Sequence, residues 1–183
     1  MVDNVKVSNA AAGRDKDASP AGELIFRQPT ALDGMPVHQL IAANPPLDTN
    51  SVYCNLLQCS HFAPTCVAVE LDGNVVAFMS AYVKPGENNV LFIWQMVVSP
   101  AARGQGVAGR MLEHLLCREH LAGIRFIETT ISPGNAPSEA TFLRFAKNRD
   151  TEVNKKTLFS KEDHFLGQHD DEVLYRIGPF TRS

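Results

Sequence analysis

The chain has 183 residues, 44% hydrophobic and 20% charged, with a formal net charge of −3. That length suits one domain with a real core, and a weakly acidic chain without any basic run argues against a nucleic-acid partner. No apolar stretch reaches the roughly 18 residues that a membrane span needs, and four cysteines without a C-x-x-C pair (Cys54, Cys59, Cys66, Cys117) fit reduced thiols in a cytoplasmic protein better than a disulfide framework.

Residues 1–22 are small and polar, with no apolar core of a signal peptide, and read as a disordered tail ahead of one domain at 23–183. Glu23–Gln28 predicts a first strand. Thr30, with Asp33 three residues on, has the form of a capping box opening a helix that runs to about Ala43, before Pro45-Pro46. Asn50 or Ser51 caps a second helix, whose Val52, Tyr53, Leu56 and Leu57 form its expected apolar face; His61-Phe-Ala-Pro64 ends it. Cys66–Leu71 and Val75–Val83 flank Asp72-Gly73-Asn74, a strong hairpin signal. A turn at Lys84–Asn89 leads to an apolar strand at 91–98, stopped by Ser99-Pro100.

A glycine loop then opens a helix with Val107, Ala108, Met111, Leu112, Leu115 and Leu116 on one face and an expected glycine cap near Gly123. A strand at 124–131, a helix at 135–147, a strand near 156–159 within an otherwise polar stretch, and a closing strand at 171–177 complete the reading. The order is strand, two helices, a three-strand meander, helix, strand, helix, strand. It predicts an α/β (α+β) fold with a mixed, mostly antiparallel sheet and one parallel pair, 91–98 and 124–131, joined by a right-handed crossover.

The loop carries the first chemistry. A strand, a tight glycine turn and a helix N-terminus make an anion site, because the first-turn amides lack intrahelical partners and the helix dipole favours negative charge. Gly104-Gln-Gly-Val-Ala-Gly109 is formally the dinucleotide fingerprint, with Glu128 at the right distance. A dinucleotide fold needs repeated βαβ units, however, and this loop follows a hairpin in mid-chain. Arg103-Gly-Gln-Gly-Val-Ala108 instead resembles the Arg/Gln-x-x-Gly-x-Gly/Ala loop of the GCN5-related N-acetyltransferases (GNAT), which holds the pyrophosphate of acetyl-coenzyme A. The resemblance implies that the two parallel strands splay apart to admit the pantetheine arm.

A closer resemblance covers residues 24–178. Leu47-Asp-Thr-Asn-Ser-Val-Tyr-Cys-Asn-Leu-Leu-Gln-Cys-Ser-His-Phe62, Phe92-Ile-Trp-Gln-Met-Val-Val98 and His169-Asp-Asp-Glu-Val-Leu-Tyr-Arg-Ile177 are similar to the diaminobutyrate acetyltransferases of ectoine synthesis. That family moves an acetyl group from acetyl-coenzyme A to the γ-amine of L-2,4-diaminobutyrate, without metal. The resemblance implies substrate contacts from Asp48, Tyr53, Trp94 and Glu172, with Asp48 and Glu172 also handling charge and protons in catalysis. It implies cofactor contacts from the backbone of Gln95, Met96, Val97 and Val98, from the loop Arg103, Gly104, Gln105, Gly106, Val107 and Ala108, and from Asn135. It further implies a homodimer, with neither nucleic acid nor membrane as partner.

Taken without the family, each residue has a plainer reading. Asp48 would be a turn former, Glu172 a solvated acid, Trp94 and Tyr53 core aromatics, and Arg103 a surface charge. One departure is visible: many GNAT enzymes carry a tyrosine seven residues after the helix-opening asparagine, where this chain has Phe142. A discrete acid for the departing thiolate is therefore missing from its usual place. The six histidines lack metal-ligand spacing, and no cysteine has an obvious histidine partner for nucleophilic work. The alternatives are an acetyltransferase of the same fold for another small amine, or a non-enzymatic coenzyme A-binding module.

Overall fold

The computed structural model describes residues 22–181. The expected disordered tail, apart from Gly22, lies outside the described residues. In chain order the elements are β1 (Ile25–Arg27), α1 (Gly34–Ala42), α2 (Val52–Ser60), β2 (Val67–Leu71), β3 (Asn74–Val83), β4 (Val90–Val98), α3 (Val107–Leu116), β5 (Phe126–Ile131), α4 (Ala136–Asn148), β6 (Val153–Phe159) and β7 (Glu172–Ile177). The strands form one sheet in the order β1-β2-β3-β4-β5-β7-β6, and β4–β5 is its parallel pair. The predicted element order and the crossover through α3 are both present. β6 is longer than expected, because its polar residues lie along the sheet edge and keep their side chains in water.

Local chemistry explains most boundaries. Asp72 and Gly73 both have positive φ (50° and 78°), which closes the β2–β3 hairpin with the twist that tight hairpins need. Ser51 caps α2 by accepting the Cys54 N–H at 3.1 Å. The Asp33 carboxylate accepts the Thr30 N–H at 2.7 Å, which is the acidic half of the predicted capping box.

Two expectations fail. α3 ends at Leu116 and a separate 3-10 turn follows at Glu119–Leu121; Gly123 is not among the left-handed glycines. The physical reason is tertiary. Leaving the helix lets Arg118 donate to the Pro64 carbonyl at 2.7 Å and brings His120 Nε2 within 2.9 Å of the same oxygen. The second failure is the face of α2. Asn55, Gln58 and Cys59 are buried, whereas Tyr53 is 70% exposed. α1 and α2 approach so closely that a Cβ on Gly34 would lie 2.6 Å from Leu56.

The sheet has two unlike faces. Val67, Val69, Met79, Leu91, Ile93, Ile127 and Ile131 pack with Met111, Leu112 and Leu115 of α3 and Phe142 and Phe145 of α4. On the opposite face, Ala68, Phe78 and Val97 pack with Val37, Ile41 and Cys59 of the first two helices. Strand alternation puts Glu128, Thr130, Glu172 and Arg176 on that second face, beyond the core that α1 and α2 form there. Glu128 is buried on it, paired with Lys84 at 2.8 Å and with Arg176, and Glu87 binds both cations. A carboxylate this enclosed is tolerable because two cations answer it.

Arg27 ties β1 to the start of α1 through a two-pronged bond to Asp33, both contacts 2.8 Å, and reaches Glu70 at 3.0 Å. That guanidinium holds the Asp33 carboxyl below its ordinary range. A depressed carboxyl pKa stabilises the fold above the unfolded value of about 3.9 and loses that contribution as pH falls through the lower folded value. Asp33→Asn should therefore lower stability at pH 7 by about 1–2 kcal/mol. The gap from wild type, measured by thermal melts, should stay constant over about pH 5–8 and narrow below about pH 4.

Candidate active site

The site begins where the parallel pair stops. β4 and β5 are in register from Val90↔Phe126 to Ile93↔Thr129 and pair no further. At the same point β4 bulges against β3: Ser80 pairs with Gln95 but Ala81 with Ile93, which leaves Trp94 as the extra residue. Beyond the bulge β4 is hydrogen-bonded along one edge only. Ser99 N–H donates to the Val76 carbonyl of β3 at 2.8 Å. Antiparallel alternation then turns the backbone of Gln95 and Val97 toward β3 and that of Met96 and Val98 toward the gap. The stretch expected to face a pantetheine arm thus narrows to two residues.

The glycine loop sits at the mouth of this gap. Gly104 and Gly106 have φ of 78° and 67°, and Gly106 is the left-handed N-cap of α3. The Arg110 N–H donates to the Gly106 carbonyl, so the amides of Val107, Ala108 and Gly109 precede the first intrahelical bond. A Cβ at either loop glycine would meet nothing within 4 Å, so these residues look onto open space. Gln105 is exposed in the same turn. Arg103 is engaged elsewhere: it donates to the Val98 carbonyl at 3.1 Å and to Asn44 Oδ1 at 2.9 Å, fastening the loop to β4 and to the end of α1. A groove of about 740 Å³ continues from Gly106, Ala108 and Gly109 past Thr141 and Arg144. Asn135 caps α4, accepting the Ser138 N–H at 3.3 Å. Open glycines, orphan amides and a helix N-terminus suit a pyrophosphate.

On the other face of the sheet, Asp48 and Glu172 come together around a histidine. His169 Nε2 lies 3.9 Å from Asp48 Oδ2 and 4.0 Å from Glu172 Oε1. Its Nδ1 is 2.7 Å from the Asp170 carbonyl, an acceptor, so Nδ1 carries the hydrogen and Nε2 faces the acids. Ser132 Oγ donates to Glu172 Oε1 at 3.0 Å. Asp48 itself is held through its backbone: Gln95 Nε2 donates to the Asp48 carbonyl at 2.9 Å, and Asn50 donates to Gln95 Oε1 at the same distance. Trp94 is 47% exposed, edge-on to Tyr82 at 6.4 Å. Tyr53 stands on the outward side of α2, not in the core. His169, Ser132 and the clamp by the Gln95 side chain were missed in the sequence. His169 opened the block that runs to Ile177, and its spacing of three from Glu172 on a loop carried no signal of its own.

The other candidates separate cleanly. All four cysteines are free thiols. Burial pushes Cys59 up to about 12 and Cys66 up to about 11, so neither is a thiolate near neutrality. Phe142 is buried in the core, and the Tyr175 hydroxyl donates to Glu139 at 2.9 Å on the α4 side. Among the described residues no three acidic, histidine or cysteine groups are arranged to hold a metal, and no helix is long and apolar enough to cross a membrane.

A family model described as acetyltransferase (GNAT) family matches residues 36–146, and the chain belongs to that family of acetyltransferases. Within it, an L-2,4-diaminobutyric acid acetyltransferase of Vibrio cholerae serotype O1 is 48% identical over 86% of this chain and 91% of the relative. Another, from Halomonas elongata, is 40% identical over 97% of this chain and 91% of its own. The chain is a member of the diaminobutyric acid acetyltransferase family. Among solved structures, diaminobutyrate acetyltransferase EctA from Paenibacillus lautus, in complex with its substrate L-2,4-diaminobutyric acid and coenzyme A, superposes with a TM-score of 0.84. It is 38% identical and spans 88% of this chain and 98% of that one.

Gly106→Val tests the phosphate site. A Cβ there meets no neighbour within 4 Å, but a β-branched residue disfavours the left-handed N-cap and would crowd a bound anion. Acetyl-coenzyme A affinity by calorimetry should fall at least tenfold, about 1.4 kcal/mol, in a variant that still shows a cooperative melt. A folded variant with wild-type affinity would remove the loop from the site.

Proposed function

We infer that the protein transfers an acetyl group from acetyl-coenzyme A to the γ-amine of L-2,4-diaminobutyrate, by direct attack in a ternary complex. The observation that carries the reading is the meeting of Asp48 and Glu172, 124 positions apart in the chain, on either side of His169. Two carboxylates suit a diammonium substrate, and the substrate of the Paenibacillus relative is a molecule of that type. Trp94 offers an exposed aromatic face to a cation beside them, and Tyr53 adds a hydroxyl from the next helix.

The chemistry has one obstacle. A primary alkylamine with a pKa near that of lysine, about 10.4, is only about 0.04% neutral at pH 7. The site must hold one ammonium and strip a proton from the other. Glu172, oriented by Ser132, and the Nε2 of His169 are the groups placed to receive that proton, directly or through water. The freed nitrogen attacks the thioester carbonyl, the oxyanion is met by outward amides of β4 near Met96, and the carbon–sulfur bond breaks to release the thiolate. With Phe142 in place of a tyrosine, the thiolate takes its proton from the ammonium formed at nitrogen or from solvent. The gap between β4 and β5 lets the cofactor enter from the α3–α4 face while the amine waits on the other. Binding both reactants in this geometry supplies the proximity term.

We place this activity in the cytoplasm, where acetyl-coenzyme A is made, with the product passing to an ectoine synthase. We assign the working form as a homodimer. β6 leaves a seven-residue edge unpaired, with Phe159 and Leu166 exposed nearby, a surface of the kind that a second copy covers.

Asp48→Asn and Glu172→Gln keep shape and remove charge. Each should lower kcat/KM for the diamine by roughly 10- to 150-fold, about 1.5–3 kcal/mol, with acetyl-coenzyme A affinity nearly unchanged. If both variants acetylate as fast as wild type, the carboxylates are capping or surface groups. NMR of the product should place the acetyl on the γ-nitrogen; turnover of a different amine instead would leave the coenzyme A site standing and end the substrate assignment. Mass spectrometry after mixing with acetyl-coenzyme A should find no acetyl-cysteine, and a kinetically competent adduct would overturn direct transfer.

A further inference from the structure

The inner face of α2 is polar where a helix on a sheet is ordinarily apolar. Asn55 and Gln58 are 0% and 1% exposed. His38 of α1 shares a contact of 3.2 Å between its Nδ1 and Asn55 Oδ1, and Asn55 Nδ2 donates to Gln58 Oε1 at 3.0 Å. Gln58 Nε2 is buried without a partner, and so is Ser80 Oγ of β3. Val52, Tyr53, Leu56 and Leu57 lie on another side of the same helix, and hydrophobic burial alone would turn those inward. The arrangement gives up apolar contact and leaves a buried amide unsatisfied. Such departures from the burial rule gather where function constrains the chain.

We propose that Asn55 and Gln58 are positioning residues that fix the rotation of α2 and thereby place Asp48 and Tyr53 for the amine substrate. The linkage is short. The amide chain sets the helix face. Ser51 caps that helix through the Cys54 N–H, Asn50 next to it bonds Gln95, and Gln95 holds the Asp48 carbonyl. A helix turned to bury Tyr53 would carry Ser51 and Asn50 off this clamp and remove the Tyr53 hydroxyl from the open side. A polar contact that only one rotation satisfies excludes the apolar alternative, much as a single buried asparagine fixes register in a coiled coil.

This inference rests on the proposed reaction, and the test keeps the two apart. The double variant Asn55→Leu, Gln58→Met removes the amide chain with near-isosteric apolar groups, a change that by itself is neutral or stabilising. The expected result is a melting temperature equal to or above wild type, a KM for L-2,4-diaminobutyrate raised at least tenfold, and a KM for acetyl-coenzyme A within twofold of wild type. Trp94 is the sole tryptophan, so its fluorescence gives diamine affinity without turnover and should report the same loss. Gln58→Met alone, which deletes the unpartnered Nε2 together with the acceptor of Asn55 Nδ2, carries the test if the double variant does not fold. A folded variant with wild-type diamine KM and affinity overturns the proposal, as does an equal rise in both KM values together with a lower melting temperature. If wild type neither binds nor acetylates the diamine, the proposed reaction fails first.

Discussion

Everything functional in this chain depends on two parallel strands that cannot stay paired. β4 and β5 hold register for four residues and then part, and the bulge at Trp94 bends β4 away at that position. A parted pair would be an unsatisfied wound in an ordinary sheet. Here it is a slot with backbone groups along one side, open to the glycine loop on one face and to the acidic pair on the other. The crossover through α3 makes the glycine loop an unavoidable neighbour of that slot, because the helix begins just beyond the end of β4.

The two faces of the sheet divide the labour. The α3–α4 face carries the large apolar core, which backs the strand and helix that frame the glycine loop. The other face is packed by α1 and α2 only over β2, β3 and β4, and beyond them it presents charge. Glu128 with Lys84, Arg176 and Glu87 forms a closed set that neutralises itself. Asp48 and Glu172 instead meet across His169, with Ser132 donating to Glu172 and, among the described residues, no lysine or arginine paired with either.

Elements whose signals are local were readable. The Asp72-Gly73 turn, the Ser51 cap, the strand at 91–98 and the loop that follows were each specified within a few residues, since turn geometry and capping act over one turn of chain. Misreadings came where a distant partner outweighed the local pattern. α3 stops early because Arg118 finds carbonyls at Ala63 and Pro64, more than fifty positions away. The polar stretch around 156 became a full strand because β7 offered it an edge, a pairing that no periodicity within 151–159 announces.

By itself the sequence determined the element order and the glycine loop with its anion-binding capacity, and its resemblance to a family singled out Asp48, Trp94 and Glu172 as candidates. These follow from spacing and residue type, which survive without a fold. Only the tertiary structure decided that Asp48 and Glu172 flank His169, that Met96 and Val98 rather than all of 95–98 face the slot, and that α2 turns Asn55 and Gln58 inward. Those facts depend on long-range pairing and on which buried polar groups find partners, and both are properties of the packed chain alone.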